Sequence, residues 1–350
     1  MMDQILILQK VSIKSAMKQL NKAGEKCLVV IDKNKKFLGT LSDGDIRKSL
    51  LKGFTLSDSI EKIYNRNSTS VEKGDFIEDE IKRIFLDSKF DLIPVINKNG
   101  TVDSCLTWEK IFDTKKDNNT LKKIDTVIMA GGKGTRLAPF TDVLPKPLIP
   151  IHDRPIIQHI IEKFASSGII NFYISINYKG KILKAFFEEL DSKSNFNFLE
   201  EEHPLGTAGS LQLLNVNISN PFFVTNCDTI IDIDFNDLYD FHIKNENIMT
   251  LVASAKEYII PYGTCKIDKD GSLLKIAEKP QLDFLINTGL YVLSPEVLKL
   301  IPKDKFYDIT DLIEAILKKG KRVGVFPIND DAWIDIGQWS EYKQAIEKLN

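Results

Sequence analysis

From Thr126 onward, short apolar runs alternate with segments whose apolar residues recur at helical spacing. Thr126 to Ala130 (TVIMA), Phe172 to Ile176 (FYISI) and Phe222 to Thr225 (FFVT) read as buried strands. Ile156 to Ser166 and Lys181 to Leu190 read as helices. This alternation predicts an α/β fold, an open and mostly parallel mixed sheet with its ligand site beyond the carboxyl ends of the strands.

The first third has a different rhythm. Sliding the chain along itself by 65 positions lays Leu28 to Asn34 (LVVIDKN) over Ile93 to Asn99 (IPVINKN). The same shift puts Leu41-Ser42 on Leu106-Thr107 and Ala16 to Leu20 on Ile81 to Phe85. Each copy reads as helix, apolar strand, polar turn, second strand, helix. A single copy is too small to bury a core, so two are expected to pack as a pseudo-symmetric α+β pair. The repeats span about 1–60 and 61–113. A polar segment, Thr114 to Asp125 (TKKDNNTLKKID), reads as the linker, and 126–350 as the α/β domain.

With 350 residues, 43% of them hydrophobic and 27% charged, the chain is long enough for two globular domains. A formal net charge of -2 gives no reason to expect nucleic acid as a partner. Local clusters such as Lys35-Lys36 and Lys122-Lys123 read as solvated surface. Cys27, Cys105, Cys227 and Cys265 show no metal-finger or CxxC spacing and are expected as reduced thiols on buried strands. The sequence shows no leader pattern and no membrane-length apolar run, so a cytoplasmic location is expected.

The chemistry begins directly after the first α/β strand, with Gly131-Gly132-Lys133-Gly134-Thr135-Arg136-Leu137. Such glycines let backbone N–H groups converge on a phosphate. A dinucleotide fingerprint starting at Gly132 would need glycine where Leu137 stands, and a P-loop would need Ser or Thr directly after Lys133. Nine residues beyond Leu137, Lys146 stands between Pro145 and Pro147, in a frame that both prolines stiffen.

Together, GGKGTRLAPFTDVLPKPLIPI resembles the signature of the sugar-1-phosphate nucleotidylyltransferases. The resemblance extends over about 125–340 and implies a Rossmann-like nucleotidyltransferase domain. It implies a nucleotide site at Ala130, Gly131, Gly132, Gly134, Thr135, Glu202, Gly206, Thr207 and Ala208. Asn226, Gly263, Glu278, Lys279, Asn287 and Gly289 would hold the sugar phosphate. Asp228 and Asp335 would bind Mg²⁺, and Arg136 and Lys146 would complete the catalytic set. Cys227 stands where the family usually has glycine.

The repeats resemble a CBS-domain pair, through Gly39-Thr40-Leu41-Ser42-Asp43-Gly44-Asp45-Ile46-Arg47. That resemblance implies a nucleotide at the first repeat, with Ser42 near its phosphate and Asp45 on its ribose. At the second repeat Lys110 replaces the ribose carboxylate and Ser104 replaces Gly39. A pair that only folds and dimerises remains open, as does Asp45 serving merely as a helix-terminal carboxylate.

The implied reaction condenses a nucleoside triphosphate with a sugar 1-phosphate and releases pyrophosphate. The nucleophile is a phosphate oxygen, mostly dianionic near neutral pH because its second pKa is about 6. It needs cations more than a base. A CBS pair ahead of a short transferase resembles the glucosamine-1-phosphate guanylyltransferases of bacterial legionaminic acid synthesis, which points to GTP and glucosamine 1-phosphate. Mannose 1-phosphate guanylylation, uridylyl or thymidylyl transfer, and a non-catalytic nucleotide sensor remain alternatives. A homo-oligomer and a regulatory nucleotide at the CBS pair are open partners.

Overall fold

The computed structural model describes residues 2–88, 90–112, 121–214 and 218–349. Residues 114–120 of the expected linker, 114–125, lie outside the described residues, as does residue 113 at the end of the second repeat. The chain divides into two compact units. One comprises Met1–Asp117, Ala255–Leu285 and Asn329–Asp331; the other comprises Asn118–Ser254, Ile286–Ile328 and Ala332–Asn350. The transferase-like sequence therefore gives two of its stretches to the first unit.

In the first unit the order is α1 (Met2–Ile5), β1 (Leu6–Leu8), α2 (Ile13–Ala23), β2 (Cys27–Ile31), β3 (Phe37–Ser42) and α3 (Asp43–Leu51). The second repeat follows as β4 (Val71–Glu72), α4 (Glu78–Ser88), β5 (Leu92–Ile96), β6 (Val102–Thr107) and α5 (Trp108–Phe112). Each repeat carries a short strand ahead of its first main helix, which the hydrophobic pattern did not announce. The 65-residue shift holds at the level of register. Cys27 pairs with Ser42 as Leu92 pairs with Thr107, and both hairpins shift register at the same place, Val30/Ile31 and Val95/Ile96. Helix α2 starts at Ser12, whose hydroxyl accepts from the Ser15 amide at 3.2 Å, and stops at Gly24 in the left-handed region. It buries Ile13, Ala16, Met17 and Leu20, and α4 buries Ile81 and Phe85 at the positions matching Ala16 and Leu20.

The second unit begins with β7 (Asp125–Met129), α6 (Phe140–Val143), β8 (Pro150–Ile151), β9 (Arg154–Pro155) and α7 (Ile156–Ala165). It continues with β10 (Asn171–Ile176), α8 (Gly180–Glu189), β11 (Asn195–Glu200), α9 (Gly206–Gly209), β12 (Phe222–Asn226), β13 (Thr229–Ile231) and α10 (Phe235–Lys244). Then come β14 (Met249–Ile259), the hairpin strands β15 (Thr264–Ile267) and β16 (Leu273–Ala277), and β17 (Gln281–Leu293). The chain closes with α11 (Ile309–Lys318), β18 (Val323–Asn329), β19 (Trp333–Asp335) and α12 (Trp339–Lys348).

One seven-stranded sheet runs in the order β11-β10-β7-β12-β17-β14-β18. The β11, β10, β7 and β12 strands are parallel, and β17 is antiparallel to β12. From β7 the chain moves to β10 on one side and later returns to β12 on the other. That reversal opens a crevice at the carboxyl end of β7, where an open α/β sheet binds ligands. Every strand and helix expected in this domain forms with ends within one residue. Helix α7 covers one face through Ile156, Ile157, Ile160, Ile161 and Phe164, and Phe164 meets Phe223 and Phe235 beneath it.

Cys27, Cys105 and Cys227 are buried free thiols, and burial pushes them up to about 12, 11 and 12 respectively. Cys265 departs from expectation: it lies exposed on β15, a strand of the two-stranded β15–β16 ribbon. Among the described residues no helix is long and apolar enough to cross a membrane.

Candidate active site

A cleft of about 450 Å³ opens at the carboxyl ends of β7, β10 and β12. Its floor is the glycine segment. After Ala130, whose amide donates to the Ser175 carbonyl at 3.0 Å, the backbone passes so close to Glu201 that a Cβ on Gly131 would lie 2.8 Å from its Oε1. Gly132 faces open space. Gly134 has φ 65°, and a Cβ there would stand 2.9 Å from both Lys146 Cβ and Thr141 Cγ2. Glycine is therefore required at 134 for conformation and for room. The following turn, Thr135–Leu137, buries Leu137 and leaves Thr135 and Arg136 exposed along the cleft.

Lys146 reaches the cleft from a second turn, Lys146–Leu148, framed by Pro145 and Pro147. The residue is 7% exposed, and its Nζ lies 2.5 Å from Asp228 Oδ2. Asp228 leads into β13, which pairs antiparallel with β19 and sets Thr229 opposite Asp335. The Ile336 amide donates to the Asp228 carbonyl at 2.8 Å. This ribbon brings together two carboxylates that are far apart in the sequence. Burial, reinforced by the charges of Asp228 and Glu341, pushes the Asp335 carboxyl above the usual range, and Lys146 partly offsets this. Two carboxylates beside one ammonium leave negative charge uncompensated, which suits a hard divalent cation. Among the described residues no set of three or more His, Cys, Asp or Glu side chains gathers as a closed metal site. A cation here would take its remaining ligands from a substrate or water.

On the opposite wall, the expected Glu202 gives way to Glu201. Glu202 is exposed and does not line the cleft, whereas Glu201 does. Its carboxylate accepts from the Leu205 amide at 3.0 Å and from the Ser175 hydroxyl. The physical reason is strand alternation: Glu201 follows buried Leu199 by two residues, so it points to the same face. The next turn is fastened to the start of α11. Ala208 and Gly209 donate to the Tyr307 carbonyl, and Thr207 donates to Asp308 through both its amide and its hydroxyl at 3.1 Å. A Cβ on Gly206 would lie 2.7 Å from that same carbonyl. Phe306 and Asp308 thereby join the cleft, and no motif in the sequence marked them.

Asn226 ends β12 in the cleft, pressed against Gly289, whose φ is 83° and whose Cβ would fall 2.4 Å from Asn226 Nδ2. Gly289 donates its amide to Asn287 Oδ1 at 3.1 Å, and Asn287 Nδ2 donates to Tyr291 Oη at 2.8 Å. The other three expected sugar-site residues lie in the first unit. There Gly263 sits against Glu278, with room for a Cβ only 2.9 Å from Oε2, and Lys279 has φ 44°.

In the first CBS-like repeat, Ser42 and Asp45 are turned toward each other rather than outward. The Ser42 hydroxyl donates to Asp45 Oδ2 at 2.7 Å, the Ser42 amide donates to the same oxygen at 3.0 Å, and the Asp45 amide donates back to Oγ at 3.1 Å. This reciprocal capping box satisfies the first turn of α3 through the two side chains expected at the nucleotide. In the second repeat Lys110 donates to the Cys105 carbonyl at 3.0 Å.

Residues 125–350 match the Nucleotidyl transferase family model, and residues 3–52 match the CBS domain model. Mannose-1-phosphate guanyltransferase of Candida albicans is 35% identical over 226 residues, covering 62% of this chain and 62% of that protein. The protein of the same name from Saccharomyces cerevisiae is 34% identical over 226 residues, with 62% of each chain covered. The chain thus spans less than two thirds of the length of these curated relatives. Among solved structures, HddC from Yersinia pseudotuberculosis superposes with a TM-score of 0.52 at 28% identity, over 65% of this chain and 100% of that one. HddC complexed with GMP-PN gives a TM-score of 0.52 at 26% identity, with the same coverage of both chains.

Proposed function

The chain belongs to the nucleotidyl transferase family, and from that membership we propose that it condenses GTP with a hexose 1-phosphate, giving a GDP-sugar and pyrophosphate. The observation that carries this reading is the Lys146–Asp228 pair in the cleft floored by Gly131, Gly132 and Gly134, with the Asp335 carboxylate brought near Asp228 by the β13–β19 ribbon. In it the glycine segment and Arg136 hold the triphosphate, and Lys146 stabilises charge on the α-phosphate under attack. The sugar phosphate needs no base, because it attacks as a dianion. Asp228 and Asp335 are the ligands for Mg²⁺, which prefers a few carboxylates together with phosphate oxygens and water. Bound there, the ion would offset charge on the triphosphate and on departing pyrophosphate.

The base preference rests on Glu201. Guanine presents N1–H and an amino group side by side, a pair of donors that a carboxylate accepts together. Uracil and thymine present a single N–H between two carbonyls, which a carboxylate repels. The names of the relatives, with their guanyl transfer, and the HddC complex with GMP-PN favour the same nucleotide.

For the sugar, the relatives favour mannose 1-phosphate. The CBS match ahead of the transferase favours glucosamine 1-phosphate, a product line that would feed legionaminic acid and surface glycans. The deciding experiment is pyrophosphate release with Mg²⁺ and each of GTP, UTP, dTTP, CTP and ATP, against mannose, glucosamine, N-acetylglucosamine and glucose 1-phosphates. Release with GTP and one hexose 1-phosphate is expected. Release only with a pyrimidine nucleotide would overturn the role given to Glu201.

A further inference from the structure

Phe306 lines the cleft with its side chain left largely in water, the residue being 63% exposed. Among the described residues no other aromatic ring packs against it. A single exposed phenylalanine is ordinary on a protein surface; what sets this one apart is where its backbone is fastened. The following residue, Tyr307, donates its amide to the Leu205 carbonyl at 2.8 Å and accepts from the Ala208 and Gly209 amides at 3.0 and 2.9 Å. Ahead of it, the Asp304 amide donates to Gln212 Oε1 at 3.0 Å, and a Cβ on Gly209 would lie 3.0 Å from the Lys305 carbonyl. The ring is therefore presented by a backbone tied down on both sides.

Leu205 links that segment to Glu201. Its amide donates to Glu201 Oε2 at 3.0 Å, while its carbonyl takes the Tyr307 amide. A carboxylate and an aromatic face are thus fastened to the two polar groups of one buried residue. Thr207 tightens the joint, accepting at its hydroxyl from the Ile309 amide at 2.9 Å while donating to Asp308. All of these residues, 201–212 and 304–309, belong to the second unit. A carboxylate can read only the edge of a base, and the flat faces of the base remain to be covered. An aromatic ring suits such a face, because bases stack on aromatic side chains.

We propose that Phe306 is the stacking platform for the nucleobase, its ring lying against the face of guanine while Glu201 takes the edge. The inference rests on the functional reading above, and adds to it the group that holds the base flat. Every base has a π face, so Phe306 supplies affinity and Glu201 the choice among bases. Stacking is the same before and during the reaction, so its loss falls on KM for GTP more than on kcat.

The test is steady-state kinetics of the full chain carrying Phe306→Ala, Phe306→Leu or Phe306→Trp, substitutions that an exposed position should tolerate. Alanine and leucine should each raise KM for GTP about fivefold or more, and tryptophan should keep it within about twofold of wild type. A wild-type KM in Phe306→Leu would overturn the proposal, because leucine keeps an apolar contact and removes the π face. Binding of GTP without sugar phosphate supplies a readout independent of turnover. In Phe306→Trp, saturating GTP should quench indole emission beyond the change seen in the wild-type chain. Emission that follows wild type would overturn the platform. Turnover of GTP by wild type, with Phe306→Ala at the same KM, would sink the platform and keep the functional reading. Silence of wild type with every hexose 1-phosphate, together with the added quenching in Phe306→Trp, would sink the functional reading and keep the platform.

Discussion

The Lys146 ammonium stands 2.5 Å from Asp228 Oδ2, although 82 residues separate the two in the chain. The pair joins the second glycine-loop turn to the strand ribbon that also carries Asp335, and it is the electrostatic centre of the cleft. Lys146→Met should leave two neighbouring carboxylates without their cation and lower turnover by about 10²–10³. Pyrophosphate release, with circular dichroism to confirm the fold, checks this. Wild-type turnover in Lys146→Met would remove the residue from the mechanism.

Gly134 and Gly132 should respond differently to the same change. Alanine at 134 must adopt φ 65° and press on Lys146, a strain of about 1–2 kcal/mol before any repacking. Gly132→Ala meets nothing within 4 Å and should stay within about 0.5 kcal/mol of wild type. Urea denaturation midpoints of the two variants measure the contrast.

The two adjacent glutamates offer an internal control. If Glu201 reads the base as proposed, Glu201→Gln weakens its charged acceptor and should raise KM for GTP at least about tenfold. Glu202→Gln, at an exposed position, should change it by less than about twofold. Equal effects would mean that the cleft does not distinguish them.

Much of this architecture is legible in the sequence. The GGKGTR and Pro-Lys-Pro segments located the cleft because backbone approach and a stiffened cation leave a local sequence signature. The 65-residue repeat announced two equivalent hairpins in the first unit, and their registers match. Glu201 was missed because a run of three acidic residues, Glu200 to Glu202, hides which one faces inward; counting by two from Leu199 would have found it. Phe306 and Asp308 reach the cleft only through the hydrogen bonds tying Leu205 to Gly209 onto the start of α11, a tertiary contact with no local motif. Ser42 and Asp45 form a helix capping box, a pattern that the sequence shares with the resemblance to a nucleotide site. The extension of β14 and β17 into the first unit likewise left no mark in the hydrophobic pattern.

His242 makes a separate prediction about acid stability. Its ring bridges Thr250 at 2.9 Å and Ser294 at 3.0 Å, and burial lowers its pKa to about 4. The unfolded chain, with histidine near 6.5, then binds more protons than the folded one between pH 6.5 and 4. Stability should therefore fall as pH drops through that window, by up to about 3 kcal/mol from this group, and show no contribution above pH 6.5. Melting temperatures across the window, compared with His242→Gln, measure it; an unchanged slope in the variant would assign the effect elsewhere.

The proposed role of Asp228 and Asp335 is to hold the Mg²⁺ for guanylyl transfer to a hexose 1-phosphate. Its most direct test is pyrophosphate release from GTP with mannose or glucosamine 1-phosphate, with and without Mg²⁺, for wild type, Asp228→Asn and Asp335→Asn. Wild type should release pyrophosphate only with Mg²⁺, and each folded variant should lose at least about 10²-fold. Undiminished release by either variant, or release by wild type without any divalent ion, would contradict it.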